Sequence, residues 1–151
     1  MTAKSRRLAR RPLSTISKPW GGEELLAHTP HYALKKIFVK QGSRSSLQLH
    51  RQKCETLYML SGRLQVEVGD APDALSADVL GPGDVIDIPA GKVHRSTAVE
   101  DCWVIEVSTP HLDDVVRLQD DHGRPPPTGG NSDGRGSTPA RTSEEPARGS
   151  S

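Results

Sequence analysis

Apolar residues recur at every second position in short runs along the middle of the chain. This period of two is typical of strands that bury one face. Six such runs are Ala33 to Val39, Ser45 to His50, Glu55 to Leu60, Arg63 to Val68, Asp84 to Ile88 and Cys102 to Ser108. Turn-forming residues separate them, as in Ser61-Gly62 and Pro89-Ala90-Gly91. Many short strands joined by tight turns predict an all-β fold, an antiparallel sandwich or barrel.

One segment near the end of the patterned region has a helical period instead. In His111 to Asp121 the residues Leu112, Val115 and Val116 fall on one face of a helix. We therefore expect a single helix there.

The two ends of the chain differ from its middle in composition. Residues 1–17 hold five basic residues and no acidic one, which predicts a basic flexible arm. Residues 123–151 contain 19 Gly, Pro, Ser or Thr among 29 residues and lack large apolar side chains. Such a segment buries too little apolar area to offset its chain entropy, so we expect a disordered tail. Residues 18–122 remain as one domain with a modest core.

Composition and charge exclude several classes of function. The 20 Lys and Arg nearly balance the 19 Asp and Glu, and a net charge of +1 argues against a nucleic-acid partner. No apolar run reaches the roughly 18 residues of a membrane span, and the basic start lacks the apolar region of a secretory signal. Cys54 and Cys102 are too few for a disulfide framework, which favours free thiols and a cytoplasmic location.

Residues able to bind a metal ion lie in two stretches. Gln48 and His50 are two apart on a predicted strand, so their side chains leave the same face. Glu55 opens the next run, and His94 follows the turn at Pro89 to Gly91. One amide oxygen, two imidazoles and one carboxylate suit zinc, and also divalent Fe, Mn, Co or Ni.

These stretches resemble the paired motifs of the cupin superfamily, G-x5-H-x-H-x(3,4)-E-x6-G and G-x5-P-x-G-x2-H. The matching residues are Gly42, Gln48, His50, Glu55 and Gly62, then Gly83, Pro89, Gly91 and His94. Gln48 stands where most cupins carry histidine. A Gln-x-His pair with a later Glu and His is similar to the metal set of mannose-6-phosphate isomerases. The resemblance is to the C-terminal cupin domain of the bifunctional mannose-6-phosphate isomerase and mannose-1-phosphate guanylyltransferase enzymes.

The resemblance implies a single-domain jelly-roll β-barrel and a divalent metal held by Gln48, His50, Glu55 and His94, with zinc expected. It also implies an isomerase that interconverts mannose 6-phosphate and fructose 6-phosphate, or a related sugar. A divalent ion would stabilise the oxyanion that forms when the C2 proton leaves. The catalytic candidates are Lys53, Glu106 and Arg95, with both Glu106 and Lys53 open as the base. The basic candidates for binding the substrate phosphate are Arg44, Lys36, Lys18 and Arg117.

Two other functions stay open. Cupins also host Fe(II) chemistry, so a metal-dependent oxygenase is one alternative. A non-catalytic sugar-binding or regulatory cupin is the other, because Lys53 and Thr56 depart from the Arg-x-Glu-His pattern of the isomerases. The resemblance further implies a sugar phosphate as the partner molecule and a homodimer that shares its N-terminal strand, around Trp20 to Leu26.

Overall fold

The computed structural model describes residues 11–124, and these residues form eleven β-strands in two antiparallel sheets. The strands are β1 Ser14–Lys18, β2 Gly21–His28, β3 Ala33–Val39, β4 Leu47–Leu49, β5 Glu55–Ser61, β6 Leu64–Gly69, β7 Leu75–Leu80, β8 Val85–Ile88, β9 Val93–Ala98, β10 Cys102–Ser108 and β11 Val116–Gln119. One sheet has the order β1-β2-β3-β10-β5-β8 and the other β11-β4-β9-β6-β7. Residues 11–124 contain no helix that could span a membrane.

Strand alternation places one face of each sheet in a shared core. Along β10 the buried residues are Cys102, Val104, Glu106 and Ser108, while the residues between them are more exposed. The core draws on both sheets: Trp20, Ile37, Val39, Leu57, Met59, Leu64, Val66, Leu80, Ile88, Ala98, Cys102 and Val104. Two sheets facing each other across such a core form a jelly-roll β-barrel, so the predicted all-β fold is confirmed.

The hairpin between β5 and β6 requires glycine at its turn. Gly62 has a φ of 76°, in the left-handed region that disfavours residues with a Cβ. A Cβ built there would lie 2.1 Å from the carbonyl oxygen of Asp101, which belongs to the neighbouring turn. Close packing of two backbones therefore excludes any side chain at this position.

The helix predicted for His111 to Asp121 is wrong. Residues 116–119 form β11, whose Val116 and Arg117 pair with Leu49 and Gln48 of β4. Residues 110–115 form turns closed by short-range backbone hydrogen bonds such as Val115 N to Asp113 O. The sheet edge offered by β4 supplies hydrogen bonds that outweigh the local helical pattern, since propensity is a weak determinant against tertiary contacts.

The structure describes part of each end that was expected to be flexible. β1 starts at Ser14, inside the expected flexible arm of residues 1–17, because its backbone pairs with β2 across a turn at Pro19-Trp20. The rest of that expectation, residues 1–10, lies outside the described residues. Of the expected tail at 123–151, Gly123 and Arg124 are described, and Arg124 donates to the carboxylate of Asp120. Residues 125–151 lie outside the described part.

Both cysteines are free thiols, as predicted. Cys54 is exposed and Cys102 is buried in the core. Burial raises the pKa of the Cys102 thiol to about 11, so this side chain is a neutral packing residue at neutral pH.

Candidate metal centre

A cavity of about 590 Å³ lies between the two sheets. Its ligand-type and charged lining residues are Lys18, Glu23, Lys35, Gln48, His50, Lys53, Glu55, His94, Glu106, Asp113, Arg117 and Arg124. A cavity of this size with convergent polar groups falls in the range of small-molecule sites.

Three residues bring ligand atoms together at one place in this cavity. His50 follows β4, Glu55 is the first residue of β5 and His94 lies on β9. Each is buried, and one ligand atom from each lies within 4.8 Å of the other two. β4 brings the two histidines together: its Gln48 is the register partner of His94 on β9, and His50 is two residues after Gln48. Of the four predicted ligands, these three form the cluster.

Backbone carbonyls fix the tautomer of both imidazoles. Nδ1 of His94 lies 3.0 Å from the carbonyl oxygen of Lys92, and Nδ1 of His50 contacts the carbonyl oxygen of Asp114. A carbonyl oxygen can only accept a hydrogen bond, so the Nδ1 atoms carry the protons and each Nε2 presents a lone pair.

The two Nε2 lone pairs point into the cavity, where no described residue donates a hydrogen bond to either of them. Both Nε2 atoms are buried without a hydrogen-bond partner among the described residues. The Nε2 atom of His50 also lies 2.5 Å from Oε1 of Glu55, which is a second acceptor. Acceptors so close together repel unless a cation lies among them, so the donor set of two nitrogens and one oxygen fits a divalent metal.

The ionisation states of these ligands suit metal binding. Burial raises the pKa of Glu55, but its polar neighbours, the Lys53 ammonium among them, outweigh burial and lower it to about 2. Burial lowers the pKa of His94, although Glu55 acts in the opposite direction. At neutral pH the site therefore presents a carboxylate and a neutral imidazole, the forms in which these side chains bind metals.

Gln48, the fourth predicted ligand, lies in the same cavity on β4. Its Oε1 atom accepts a hydrogen bond of 2.7 Å from the hydroxyl of Ser46. An amide oxygen has two lone pairs, so this bond orients the side chain and leaves one acceptor position. Ser46 is buried and was missed by the sequence analysis.

A buried lysine links the metal centre to a second carboxylate. Nζ of Lys53 lies 2.6 Å from Oε1 of Glu55 and 3.3 Å from Oε1 of Glu106. Burial opposes the charge of Lys53, yet the two carboxylates together raise its pKa. Burial raises the pKa of Glu106, and the charge of Glu55 raises it further. A protonated ammonium thus lies between the carboxylate of a candidate metal ligand, Glu55, and the carboxylate of Glu106, whose basicity is increased.

Two of the predicted phosphate-binding residues, Lys18 and Arg117, line the cavity. Nζ of Lys18 lies 3.9 Å from Glu23. The Nε atom of Arg117 is buried without a hydrogen-bond partner among residues 11–124. An unsatisfied buried guanidinium nitrogen at a cavity wall is a donor available to an anionic ligand.

The other three predicted basic residues do not line the cavity. Lys36 lies on the outer face of β3, where its ammonium stacks 4.2 Å from the ring of Trp103. Arg95 follows His94 on β9, so alternation sends it to the opposite face of the sheet, beside Gln119 at 3.5 Å. Arg44 forms an ion pair with Asp121 outside the cavity. These positions argue against the roles predicted for the three side chains.

Two basic residues that the sequence did not single out, Lys35 and Arg124, line the cavity. Lys35 lines the cavity and lies 3.0 Å from Glu23, and Arg124 lines it near the C-terminal end of the described chain. The signal for Lys35 was present in the sequence. Ala33, Ile37 and Val39 are the buried positions of β3, and Lys35 has the same parity.

Asp114 was also missed, although it touches two parts of the site. Its carboxylate accepts hydrogen bonds from the backbone N–H groups of Arg51, Gln52 and Lys53. Burial raises its pKa, but the three backbone donors outweigh burial and lower it. From the sequence, Asp114 falls within the helix predicted for His111 to Asp121.

Comparisons with known proteins agree with this architecture. A family model described as "Mannose-6-phosphate isomerase C-terminal" matches residues 6–120. A mannose-1-phosphate guanylyltransferase of Escherichia coli is 29% identical over 114 residues, which are 72% of this chain and 23% of that protein. The alginate biosynthesis protein AlgA of Pseudomonas aeruginosa is 31% identical with the same coverage. The chain thus spans about a quarter of the length of these relatives.

Solved structures with low sequence identity share the fold. KdgF from Halomonas sp. superposes with a TM-score of 0.58 at 24% identity, covering 69% of this chain and 92% of that one. CapF from Staphylococcus aureus superposes with a TM-score of 0.62 at 19% identity, covering 74% of this chain and 35% of that one. An oxalate decarboxylase variant of B. subtilis superposes with a TM-score of 0.62 at 20% identity, covering 70% of this chain and 30% of that one. That decarboxylase holds Mn(II) centres. The shared fold is the cupin barrel expected from the motifs.

Proposed function

This chain belongs to the mannose-6-phosphate isomerase C-terminal family, and from that premise we propose that it is a metal-dependent sugar-phosphate isomerase. The proposed reaction is the interconversion of mannose 6-phosphate and fructose 6-phosphate, or of a closely related sugar. One observation carries the proposal: two unprotonated imidazole nitrogens and one carboxylate converge in a cavity that basic side chains also line.

The proposed cofactor is one divalent ion held by His50, Glu55 and His94, with Gln48 as a fourth ligand. Zinc is the proposed metal, and Mn, Fe, Co or Ni suit the same donors. When bound, such an ion supplies positive charge that stabilises the oxygen anion formed as the sugar loses its C2 proton.

Glu106 is the proposed general base. Its carboxylate accepts the C2 proton of the aldose, and the C–H electron pair forms the C1–C2 double bond while negative charge collects on O1. Burial and the charge of Glu55 raise the pKa of Glu106, which makes it a stronger base than an exposed carboxylate. The same group returns the proton at C1 to give the ketose.

Lys53 is the proposed proton donor for the oxygen atoms. Its ammonium gives a proton to O1 and takes one from the O2 hydroxyl, so the charge of the cavity is unchanged over the reaction. The two flanking carboxylates raise the pKa of Lys53, and the group is therefore protonated before substrate binds. Its Nζ atom lies 3.3 Å from Glu106, close enough for both groups to reach neighbouring atoms of one sugar.

The phosphate group is proposed to bind at the basic part of the cavity. Lys18 and Arg117 line it, together with Lys35 and Arg124. Arg117 has an unsatisfied buried Nε–H among the described residues, whereas Lys18 and Lys35 share Glu23. Arg117 is therefore proposed as the main phosphate contact, since guanidinium groups bind phosphate with directed hydrogen bonds.

The test is proton exchange at the substrate carbon. Full-length chain loaded with each of the five metals is incubated with mannose 6-phosphate in D₂O, and ¹H NMR follows loss of the C2 proton and formation of fructose 6-phosphate. The proposal predicts turnover by the parent and by Glu100→Gln, a control at an exposed carboxylate. Glu106→Gln should bind metal and lose exchange. Absence of exchange and of turnover with every metal refutes the isomerase.

A second candidate function is an Fe(II) oxygenase. Two imidazoles and one carboxylate are the ligand set of the non-haem iron oxygenases, and this chain offers that set at one place. Oxygen uptake by the Fe(II)-loaded chain with a sugar acid or sugar phosphate, without isomerisation, would favour it. Binding of sugar phosphate without either reaction would favour a non-catalytic sugar-binding cupin.

A further inference from the structure

We propose that Asp114 is a positioning residue that holds His50 in one tautomer through its main-chain carbonyl and fixes Lys53 through its carboxylate. The inference rests on the proposed metal site, because it concerns how two residues of that site are held. Asp114 itself lies in the turns that precede β11.

The main-chain contact acts on the metal ligand. The carbonyl oxygen of Asp114 accepts a hydrogen bond from Nδ1 of His50. This bond leaves the Nε2 lone pair directed at Glu55 and His94, as a metal ligand requires. Hydrogen bonds from the second ring nitrogen set the orientation and basicity of a ligating histidine.

The side-chain contacts act on the loop between β4 and β5. Three consecutive N–H groups donate to the Asp114 carboxylate, at 3.0 Å from Arg51, 2.6 Å from Gln52 and 2.8 Å from Lys53. Three donors on one carboxylate define the backbone conformation of this short loop. The loop joins His50 to Glu55, so its conformation sets where both ligands and the ammonium of Lys53 lie.

One residue thereby couples two walls of the cavity. Leu112, Asp113 and Val115 line the cavity on either side of Asp114 in sequence. After them, β11 pairs with β4 through Arg117 and Gln48. Loss of the Asp114 carboxylate should release the loop at 51–53 and move the main-chain carbonyl away from His50.

The experiment uses the full chain without metal first. Long-range ¹H–¹⁵N NMR of the imidazole nitrogens at a pH where both histidines are neutral reports which nitrogen carries the proton. The parent should show His50 as the Nδ1–H tautomer. Asp114→Ala should show a mixture of tautomers for His50, while His94 stays unchanged because the carbonyl of Lys92 holds it. Asp73→Asn is the matched control at an exposed carboxylate outside the cavity.

Competition with a zinc chelator then measures Zn²⁺ affinity of the same proteins. We expect Asp114→Ala to weaken Zn²⁺ binding about 10- to 100-fold, the usual effect of removing a group that orients a ligand. Asp73→Asn should stay within about twofold of the parent, as a surface substitution does. Asp114→Asn keeps one acceptor oxygen, so its Zn²⁺ affinity should lie between those of Asp114→Ala and the control. It replaces the alanine variant if that variant does not fold.

The outcomes separate this inference from the proposed function. A single Nδ1–H tautomer for His50 in the Asp114 variants overturns the inference, and so does Zn²⁺ affinity equal to that of Asp73→Asn. A tautomer change that affects His94 equally also overturns it, because the effect would then be general distortion. If the parent binds no divalent metal, the proposed function fails, and the tautomer measurement on metal-free protein still decides the inference.

Discussion

Replacing Lys53 with methionine isolates the electrostatic balance of the cavity. The Lys53 side chain is 5% exposed, and its ammonium lies 2.6 Å from Glu55 and 3.3 Å from Glu106. Methionine keeps most of the aliphatic volume and removes the charge, so two buried carboxylates lose their shared counter-charge. Removing one partner of a buried ion pair costs about 3–5 kcal/mol of folding free energy. That is a large part of the 5–15 kcal/mol typical of a whole domain.

The loss should depend on pH in a defined direction. Burial and Glu55 raise the pKa of Glu106, whereas Lys53 lowers it, so the substitution raises it further. A carboxyl group with a folded-state pKa above its unfolded value binds more protons when folded. The stability of Lys53→Met should therefore fall as pH rises through the folded-state pKa of Glu106 and recover as pH falls towards 4.5.

Urea unfolding of metal-free protein, followed by the fluorescence of Trp20 and Trp103, measures this effect between pH 5 and 8. Lys40→Met is the matched control, because Lys40 is exposed in a loop. The double variant Lys53→Met with Glu106→Leu should be more stable than Lys53→Met alone, since it removes one unpaired charge. A Lys53→Met stability within about 1 kcal/mol of the control, or a loss that does not change with pH, would refute the reasoning.

Three further predictions concern the fold and its assembly. Gly62→Ala should lower the free energy of unfolding by about 2–5 kcal/mol in urea. Gly42 has the same φ of 76°, but a Cβ built there has nothing within 4 Å, so Gly42→Ala should cost about 1–2 kcal/mol. Equal losses would contradict the clash with Asp101. Met59→Ala, at a fully buried core position, should lower the free energy of unfolding by about 2–5 kcal/mol by the same assay, and a loss below about 1 kcal/mol would count against the assigned core. The homodimer that the family resemblance implies predicts twice the chain mass of 16.3 kDa by light scattering after size-exclusion chromatography, and a monomer at micromolar concentration would contradict it.

The sequence was sufficient for the parts of the fold that depend on local alternation. The bounds predicted for Ala33–Val39 and Cys102–Ser108 agree with β3 and β10, because the buried residues of each strand all lie on one face. β7 was missed since its buried pattern is weak, with Leu80 its one buried residue. Residues 111–121, which contain β11, were assigned to a helix because the partner of β11, β4, lies more than 60 residues earlier in the chain.

The candidate site also has residues that the sequence predicts and residues that it does not. The motif spacing predicts His50, Glu55 and His94 as ligands of one metal ion. The fold brings their ligand atoms together. The basic residues were chosen by charge alone, and strand parity selects differently: Lys35 rather than Lys36 faces the cavity on β3. Asp114 acts through backbone groups 61 to 63 residues away, a contact that composition and spacing do not encode.

Zinc binding by chelator-treated protein, measured by isothermal titration calorimetry, tests the central claim most directly. The account predicts one ion per chain for the parent and for His31→Ala, a control at an exposed histidine. It predicts loss of that binding in His50→Ala and His94→Ala and weaker binding in Gln48→Ala, with circular dichroism showing the fold retained. Unchanged zinc stoichiometry and affinity in all three variants would contradict it.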